Sequence, residues 1–307
     1  MHLRVPLALA LALITPGGAA ADAPYRSVPA TAKPQRIVSL NLCADQLLVL
    51  LADRSQIAGV TRYAADPGLS AVARQAKGLP VVRNSAEQVL AINPDLVFGT
   101  PAFASSPLTA LRGRRYRTLE LKSAAQFADI VASVRQTAAA VGHPARGEAL
   151  IARMRADLAA IGRSGQGAVA AYYQRRGYMT GTGTLVDDLM RRIGLVNLAT
   201  RLGRPALSQV SLEEMIAARP DYLIVEAGTQ RVEDQGTEML HHRVLDAIPR
   251  IVIPQSWTVC GGPAYVRAAQ AMARQIAAHP AMKQKSFQLV SNPLIGHADK
   301  TLRKQGE

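Results

Sequence analysis

Ser85-Ala86-Glu87-Gln88-Val89-Leu90-Ala91-Ile92-Asn93-Pro94-Asp95-Leu96-Val97 aligns without a gap to Ser211-Leu212-Glu213-Glu214-Met215-Ile216-Ala217-Ala218-Arg219-Pro220-Asp221-Tyr222-Leu223. Ser, Glu, Ala, Pro and Asp recur at a constant offset of 126 residues. Each copy carries the same local instructions. Ser caps a helix, Glu sits in the first turn where the dipole favours an anion, and apolar residues turn inward. Pro-Asp then ends the helix ahead of an apolar strand. Such a repeat implies two lobes of similar build, and two lobes make a cleft.

Outward from the first copy, short apolar runs alternate with helix-like stretches. Arg36–Leu40, Ile57–Val60, Leu79–Val82, Leu96–Thr100 and Tyr116–Leu121 read as strands, with helices over Ala44–Ala52 and Ala86–Ile92. That is the rhythm of βα units around a mostly parallel sheet. Two helices then follow with no strand between them, Ala124–Val141 and Arg146–Ile161, the second with Leu150, Met154, Leu158 and Ile161 at helical spacing. After a glycine-rich break the alternation restarts, with strands at Ala168–Tyr173, Tyr222–Val225 and Arg250–Ile253 and helices at Leu185–Ile193, Leu212–Ala218 and Ala264–Ala278. The expected fold is α/β: two Rossmann-like lobes with mostly parallel sheets, residues 34–144 and 163–279, joined by a single long α-helix at 145–162.

The chain ends are different in character. Residues 1–21 combine Arg4, an apolar run from Val5 to Ile14 and Ala19-Ala20-Ala21, the pattern of a cleaved signal peptide. Residues 22–33 read as a flexible leader, and 280–307 as a basic tail of unassigned role. Neither cysteine lies at the cleavage site, so the mature chain is expected to be periplasmic and not a lipoprotein. The formal charge of +14 favours an anionic partner, but aromatic residues make up only 4% and no basic run is interleaved with them, which argues against nucleic acid.

Several of these stretches resemble the periplasmic substrate-binding subunits of ATP-driven importers for ferric siderophores, haem and cobalamin. The resembling residues are Pro34–Leu40, Ile57–Val60, Glu87–Val97, Gly181-Thr182-Gly183-Thr184 leading into Leu185–Gly194, Val210–Glu213, and Ile253-Pro254 before Trp257. The likeness covers roughly residues 34–279. It implies a ligand held between the lobes and delivery to an inner-membrane permease with its ATPase subunits. It also implies that one exposed glutamate per lobe, here Glu87 and Glu213, docks into arginine pockets of that permease; the same two residues serve their own helix dipoles.

In open α/β sheets ligands bind at the carboxyl ends of strands. The loops in question carry Cys43, Arg62, Tyr63, Arg83, Arg175, Tyr178, Trp257 and Cys260, with Tyr173 at a strand end. Guanidinium forks hold carboxylate or catecholate oxygens and stack on rings, so an iron complex, above all a ferric siderophore, suits these loops. The same arginines would also solvate loops of a basic protein. Haem needs an axial ligand, for which Tyr63, Tyr172, Tyr173 or Tyr178 could serve. Cobalamin is disfavoured by Arg83 and Leu207 standing where aromatic residues would cradle a corrin.

Cys43 and Cys260, one per lobe, read either as a disulfide or inert thiols, or as ligand contacts. His241-His242 reads as a solvated face, and no histidine cluster suggests a bare metal or a resident cofactor. Neither a G-x-S-x-G elbow nor a phosphate-binding loop is present, so binding without catalysis by a monomer is expected. A secreted chelate-modifying enzyme or a free carrier is the more distant alternative.

Overall fold

The computed structural model describes residues 33–83, 85–99 and 117–280. The expected signal peptide, nearly all of the leader, residues 281–307, Asn84, Thr100 and Tyr116 lie outside the described residues. The first lobe contains β1 (Ile37–Ser39), α1 (Leu42–Leu51), β2 (Ile57–Gly59), α2 (Ala86–Ile92), β3 (Leu96–Gly99), β4 (Arg117–Glu120) and α3 (Phe127–Ala140). Its strands pair in the order β2-β1-β3-β4, all parallel.

Helix α4 (Pro144–Ile161) leads to β5 (Val169–Tyr173), β6 (Tyr178–Thr180), α5 (Leu185–Arg192), β7 (Val196–Asn197) and β8 (Leu207–Gln209). Then come α6 (Leu212–Ala218), β9 (Tyr222–Glu226), β10 (Arg250–Ile253) and α7 (Ala264–Ala278). The second sheet runs β10-β9-β5-β6-β8. Strands β10, β9, β5 and β7 are parallel, while β6 and β8 are antiparallel additions.

The repeated segment builds the same device in both lobes. Ser85 Oγ and Ser211 Oγ accept from the N–H of Gln88 and Glu214, at 3.3 and 3.2 Å. Both helices end on a residue in the left-handed region, Asn93 (φ 49°) and Arg219 (φ 45°). The aspartate after each proline then clamps the start of the central strand. Asp95 Oδ1 accepts from Arg36 N at 2.9 Å and Asp221 Oδ2 from Val169 N at 2.7 Å, and each aspartate returns its own N–H to that residue's carbonyl. The Pro-Asp pair therefore sets where β1 and β5 begin.

Leu79–Val82 does not form the expected strand. Only a single bridge joins Val81 to Val60, because Pro80 has no N–H to extend a ladder and Val81 is 59% exposed.

Eighteen residues long, α4 spans about 27 Å. Its start is latched to the first lobe: Arg146 donates to Leu51 O and pairs with Asp53, which also holds Lys33 and His143. Lys33 and Arg146 keep the Asp53 carboxyl well below the usual carboxylate range. Further along, Ile151, Met154 and Leu158 enter an apolar cluster that runs from Ile37 and Phe98 in the first sheet to Tyr172 and Ile224 in the second. Leu150 and Ile161 of the expected stripe are half-buried and pack against the same cluster, with Ile151 more deeply buried than either.

Other contacts tie the lobes along one flank. Phe127 N donates to Asp188 Oδ2 at 3.1 Å and Tyr265 Oη to the same oxygen at 2.7 Å. Arg192 lies over the Phe127 ring. Gly261 passes so close to Ala124 that a Cβ there would lie 2.2 Å from the alanine methyl. At the outer edge of the second sheet, the Gln275 side chain donates to Val252 O and accepts from Val252 N, both at 2.8 Å.

Candidate functional site

The loops after β1 and β2, with the segment 81–83, enclose a hollow of about 640 Å³ in the first lobe. Leu40, Leu42, Leu69, Val81 and Val82 make most of its surface apolar, while Asn41, Thr61, Arg62, Tyr63 and Arg83 add polar groups. It sits at the carboxyl ends of the strands, where such sheets bind ligands.

Arg62 and Tyr63 act as a unit. A guanidinium nitrogen of Arg62 donates to Tyr63 Oη at 2.7 Å, and its carbon lies 4.8 Å from the ring centre. Tyr63 is 40% exposed. The pair offers a hard oxygen donor whose negative charge, once formed, is already compensated. Arg83 lines the hollow as well, its backbone held on both sides: its N–H donates to Gln88 Oε1 and its carbonyl accepts from Ser85 N at 2.8 Å.

Beneath this wall lies Asp45, buried in α1. Thr61 donates to it through both its N–H (3.1 Å) and its hydroxyl (2.5 Å). Burial outweighs these bonds and pushes the Asp45 carboxyl up to about 6. A carboxyl whose folded value exceeds its unfolded one binds an extra proton in the folded state. Stability therefore falls as pH rises from about 4 through 6, by up to roughly 3 kcal/mol. Urea titrations at pH 4.5 and 7.5 are expected to show this loss, and Asp45→Asn, which is neutral at both, to remove most of it. An unchanged pH difference in the variant would rule out this assignment.

The second lobe contributes a smaller hollow of about 250 Å³, lined by Tyr172, Gln174, Thr180, Glu226, Gln255 and Thr258 among others. Tyr172, Thr180 and Glu226 stand at the ends of β5, β6 and β9, and Gln174, Gln255 and Thr258 follow β5 and β10. A disulfide between Cys43 and Cys260 joins the two lobes at this point, next to Asn41 and Leu42 on one wall and Thr258 and Val259 on the other. Neither sulfur is therefore available as a thiolate ligand.

The family model described as "Periplasmic binding protein" matches residues 37–249. The chain belongs to that family. This periplasmic binding protein is 25% identical to the periplasmic heme-binding protein RhuT from Roseiflexus sp. RS-1 in its apo form, with a TM-score of 0.63, covering 80% of this chain and 98% of that one. Superposition on the periplasmic heme-binding protein HutB of Vibrio cholerae gives a TM-score of 0.66 at 20% identity, over 80% of this chain and 99% of that one; this likeness concerns the fold. The cobalamin-binding protein of Halobacterium salinarum is 23% identical over 218 residues, 69% of this chain. The chain spans 59% of the length of that curated relative.

In this periplasmic binding protein, Arg62, Tyr63 and Arg83 come together as expected from sequence. Other candidates do not join them. Tyr173 is fully buried, its hydroxyl given to Val210 O at 2.9 Å, and burial pushes it up to about 12. Strand β5 is covered on both faces, so alternation turns Tyr173 into the core behind the sheet and Tyr172 towards the cleft. Arg175 is held in an ion pair with Asp234. Tyr178 is exposed at the start of β6 but lines neither hollow. Trp257 packs half-buried against the main apolar cluster.

Glu87 and Glu213 are exposed in the first turns of α2 and α6. Hydrogen bonds from its own backbone N–H and from Ser211 hold the Glu213 carboxyl below its ordinary value. Among the described residues no cluster of His, Cys, Asp and Glu fits a metal ion, and no helix is long and apolar enough to cross a membrane. His241 faces Thr229 O at 2.8 Å. Glu226 and Gln174 in the second-lobe hollow, and Asp45 buried beneath the first, are among the polar residues that sequence reading did not single out.

Proposed function

We propose that this chain is the solute-binding component of an ABC importer, acting in the periplasm as a monomer after removal of its signal peptide. It captures an iron complex, foremost a ferric siderophore, between its lobes and passes it unchanged to the permease. The observation that carries this reading is the hollow at the strand ends of the first lobe, apolar in its floor and basic at Arg62 and Arg83. Such a surface suits a large chelate with an anionic edge: its rings or methylenes rest on Leu40, Leu42, Leu69 and Val82, and its oxygens meet guanidinium groups.

Calorimetric titration with a ferric catecholate siderophore tests this. Each charge-assisted hydrogen bond contributes about 1.5 to 3 kcal/mol, so Arg62→Ala combined with Arg83→Ala is expected to weaken binding at least a hundredfold, with intact folding. Binding that survives both substitutions overturns the assignment of this wall.

Haem is the second reading, supported by the Arg62–Tyr63 pair, since a phenol oxygen beside a guanidinium is suited to ferric iron. In that case haemin develops a shifted absorbance band that Tyr63→Phe abolishes. Cobalamin, which the Halobacterium salinarum relative is named for binding, is the third.

A further inference from the structure

The second-lobe wall has a hydrogen-bond polarity that can be counted. Tyr172 Oη donates to Glu226 Oε1 at 3.2 Å, and Gln174 Nε2 reaches the same oxygen at 3.4 Å. Thr180 Oγ1 donates to Gln174 Oε1 at 3.1 Å. Thr258 Oγ1 donates to Gln255 O at 3.3 Å, and Thr184 Oγ1 to Gly181 O at 2.8 Å. Every hydroxyl proton on this wall is thus directed inward. Tyr172 Oη and Thr258 Oγ1 also lie 3.3 Å apart. What remains towards the hollow is the acceptor capacity of the hydroxyls and of Glu226 Oε2, together with the amide of the exposed Gln255, which offers donors and an acceptor alike and carries no charge. No ion pair reaches Glu226 among the described residues. Burial first, and the Glu226 charge second, raise the Tyr172 phenol above its ordinary value, so it stays protonated and remains a donor to the carboxylate.

Half-buried Glu226 already accepts from Tyr172 and Gln174 through Oε1, so its Oε2 is the atom left to accept from a ligand that displaces water there. On the first-lobe wall the charged groups are the guanidinium donors of Arg62 and Arg83. The two walls therefore ask for opposite features at the two edges of one ligand.

We propose that Glu226 is a specificity-determining residue, selecting a chelate whose second-lobe edge bears N–H or O–H donors and rejecting one whose edge there carries only carboxylates. This rests on the importer reading given above and adds an orientation to it: the anionic edge lies on Arg62 and Arg83, the donor edge on Glu226. The ligand classes that satisfy both walls are siderophores with amide, ammonium or hydroxyl groups and corrinoids rimmed by primary amides. A porphyrin whose only polar rim groups are two carboxylates satisfies one wall and is repelled by the other if rotated.

Three probes decide the matter by calorimetry or absorbance titration: ferrioxamine B, with amides and an ammonium; cyanocobalamin, rimmed by amides; and haemin, with carboxylates alone. The wild-type protein is expected to bind at least one donor-bearing probe at least tenfold more tightly than haemin. Glu226→Gln keeps the size of the side chain and an acceptor for Tyr172, but places an N–H₂ among its polar atoms. It is expected to weaken the donor-bearing probe at least tenfold and to leave haemin unchanged or tighter, with an unaltered melting temperature. Glu226→Ala serves as a second variant with no donor or acceptor of its own.

Haemin as the tightest ligand of the wild-type protein, or an equal effect of both substitutions on every probe, overturns the role of Glu226. If Arg62→Ala with Arg83→Ala abolishes binding while the Glu226 variants change nothing, the importer reading stands and the specificity assignment falls. Failure of all three probes to bind the folded wild-type protein removes both.

Discussion

Reduction of the Cys43–Cys260 disulfide is expected to lower the stability of the protein by about 4 to 5 kcal/mol. The two residues are 217 apart in sequence, and on the chain-entropy relation a cross-link closing so long a loop removes roughly 5 kcal/mol of conformational freedom from the unfolded chain. For a protein of this size that corresponds to a fall in melting temperature of about 6 to 8 °C. Cys43→Ala with Cys260→Ala should reproduce the effect without reductant. The fold itself should survive, because the Phe127–Asp188–Tyr265 contacts and the shared apolar cluster hold the lobes independently. A melting temperature that does not respond to reductant would show that the bridge does not form in the folded protein.

The second large effect concerns Glu87 and Glu213. Both carboxylates are exposed at the start of equivalent helices, one per lobe. Replacing either changes stability little, within about 0.5 kcal/mol plus a dipole contribution of about 0.3 to 1 kcal/mol. Removing one partner of a charge pair buried on docking costs about 2 to 5 kcal/mol. Glu87→Ala with Glu213→Ala should therefore retain ligand affinity while permease binding and uptake drop by at least thirtyfold. Uptake at the normal rate, or loss of the ligand itself, would refute the docking role.

The sequence repeat was enough to find both lobes, because each Ser caps its own helix three residues on, while the Asp after each Pro makes the same long-range clamp on the start of the central strand in both lobes. Helices Leu212–Ala218 and Ala264–Ala278 and strand Arg250–Ile253 fall at the expected residues, the helices through their apolar spacing and the strand as a short apolar run. Strands β6 and β8 were not legible: three residues each, with Thr180, Ser208 and Gln209 among them, they present no apolar run, and they pair only because Gly177 turns the chain back beside β5. The choice between Tyr172 and Tyr173 was equally hidden, since a strand buried on both faces lacks the alternation that distinguishes them. Arg62, Tyr63 and Arg83 could be placed because they follow strands directly. Glu226 ends an apolar run and reads as its boundary, and only the structure shows that Tyr172 and Gln174, and no ion-pair partner among the described residues, meet its carboxylate.

Strand β10 is the outermost member of the second sheet, a position where unpaired backbone groups can recruit a strand from another molecule. Gln275 already occupies both the N–H and the carbonyl of Val252. In a strand of four residues, only alternate residues point their backbone groups outward, so blocking one leaves no two consecutive positions on which an incoming chain could start a ladder. A single amide side chain reaching over from α7 thus takes both backbone groups on which edge-to-edge pairing would begin.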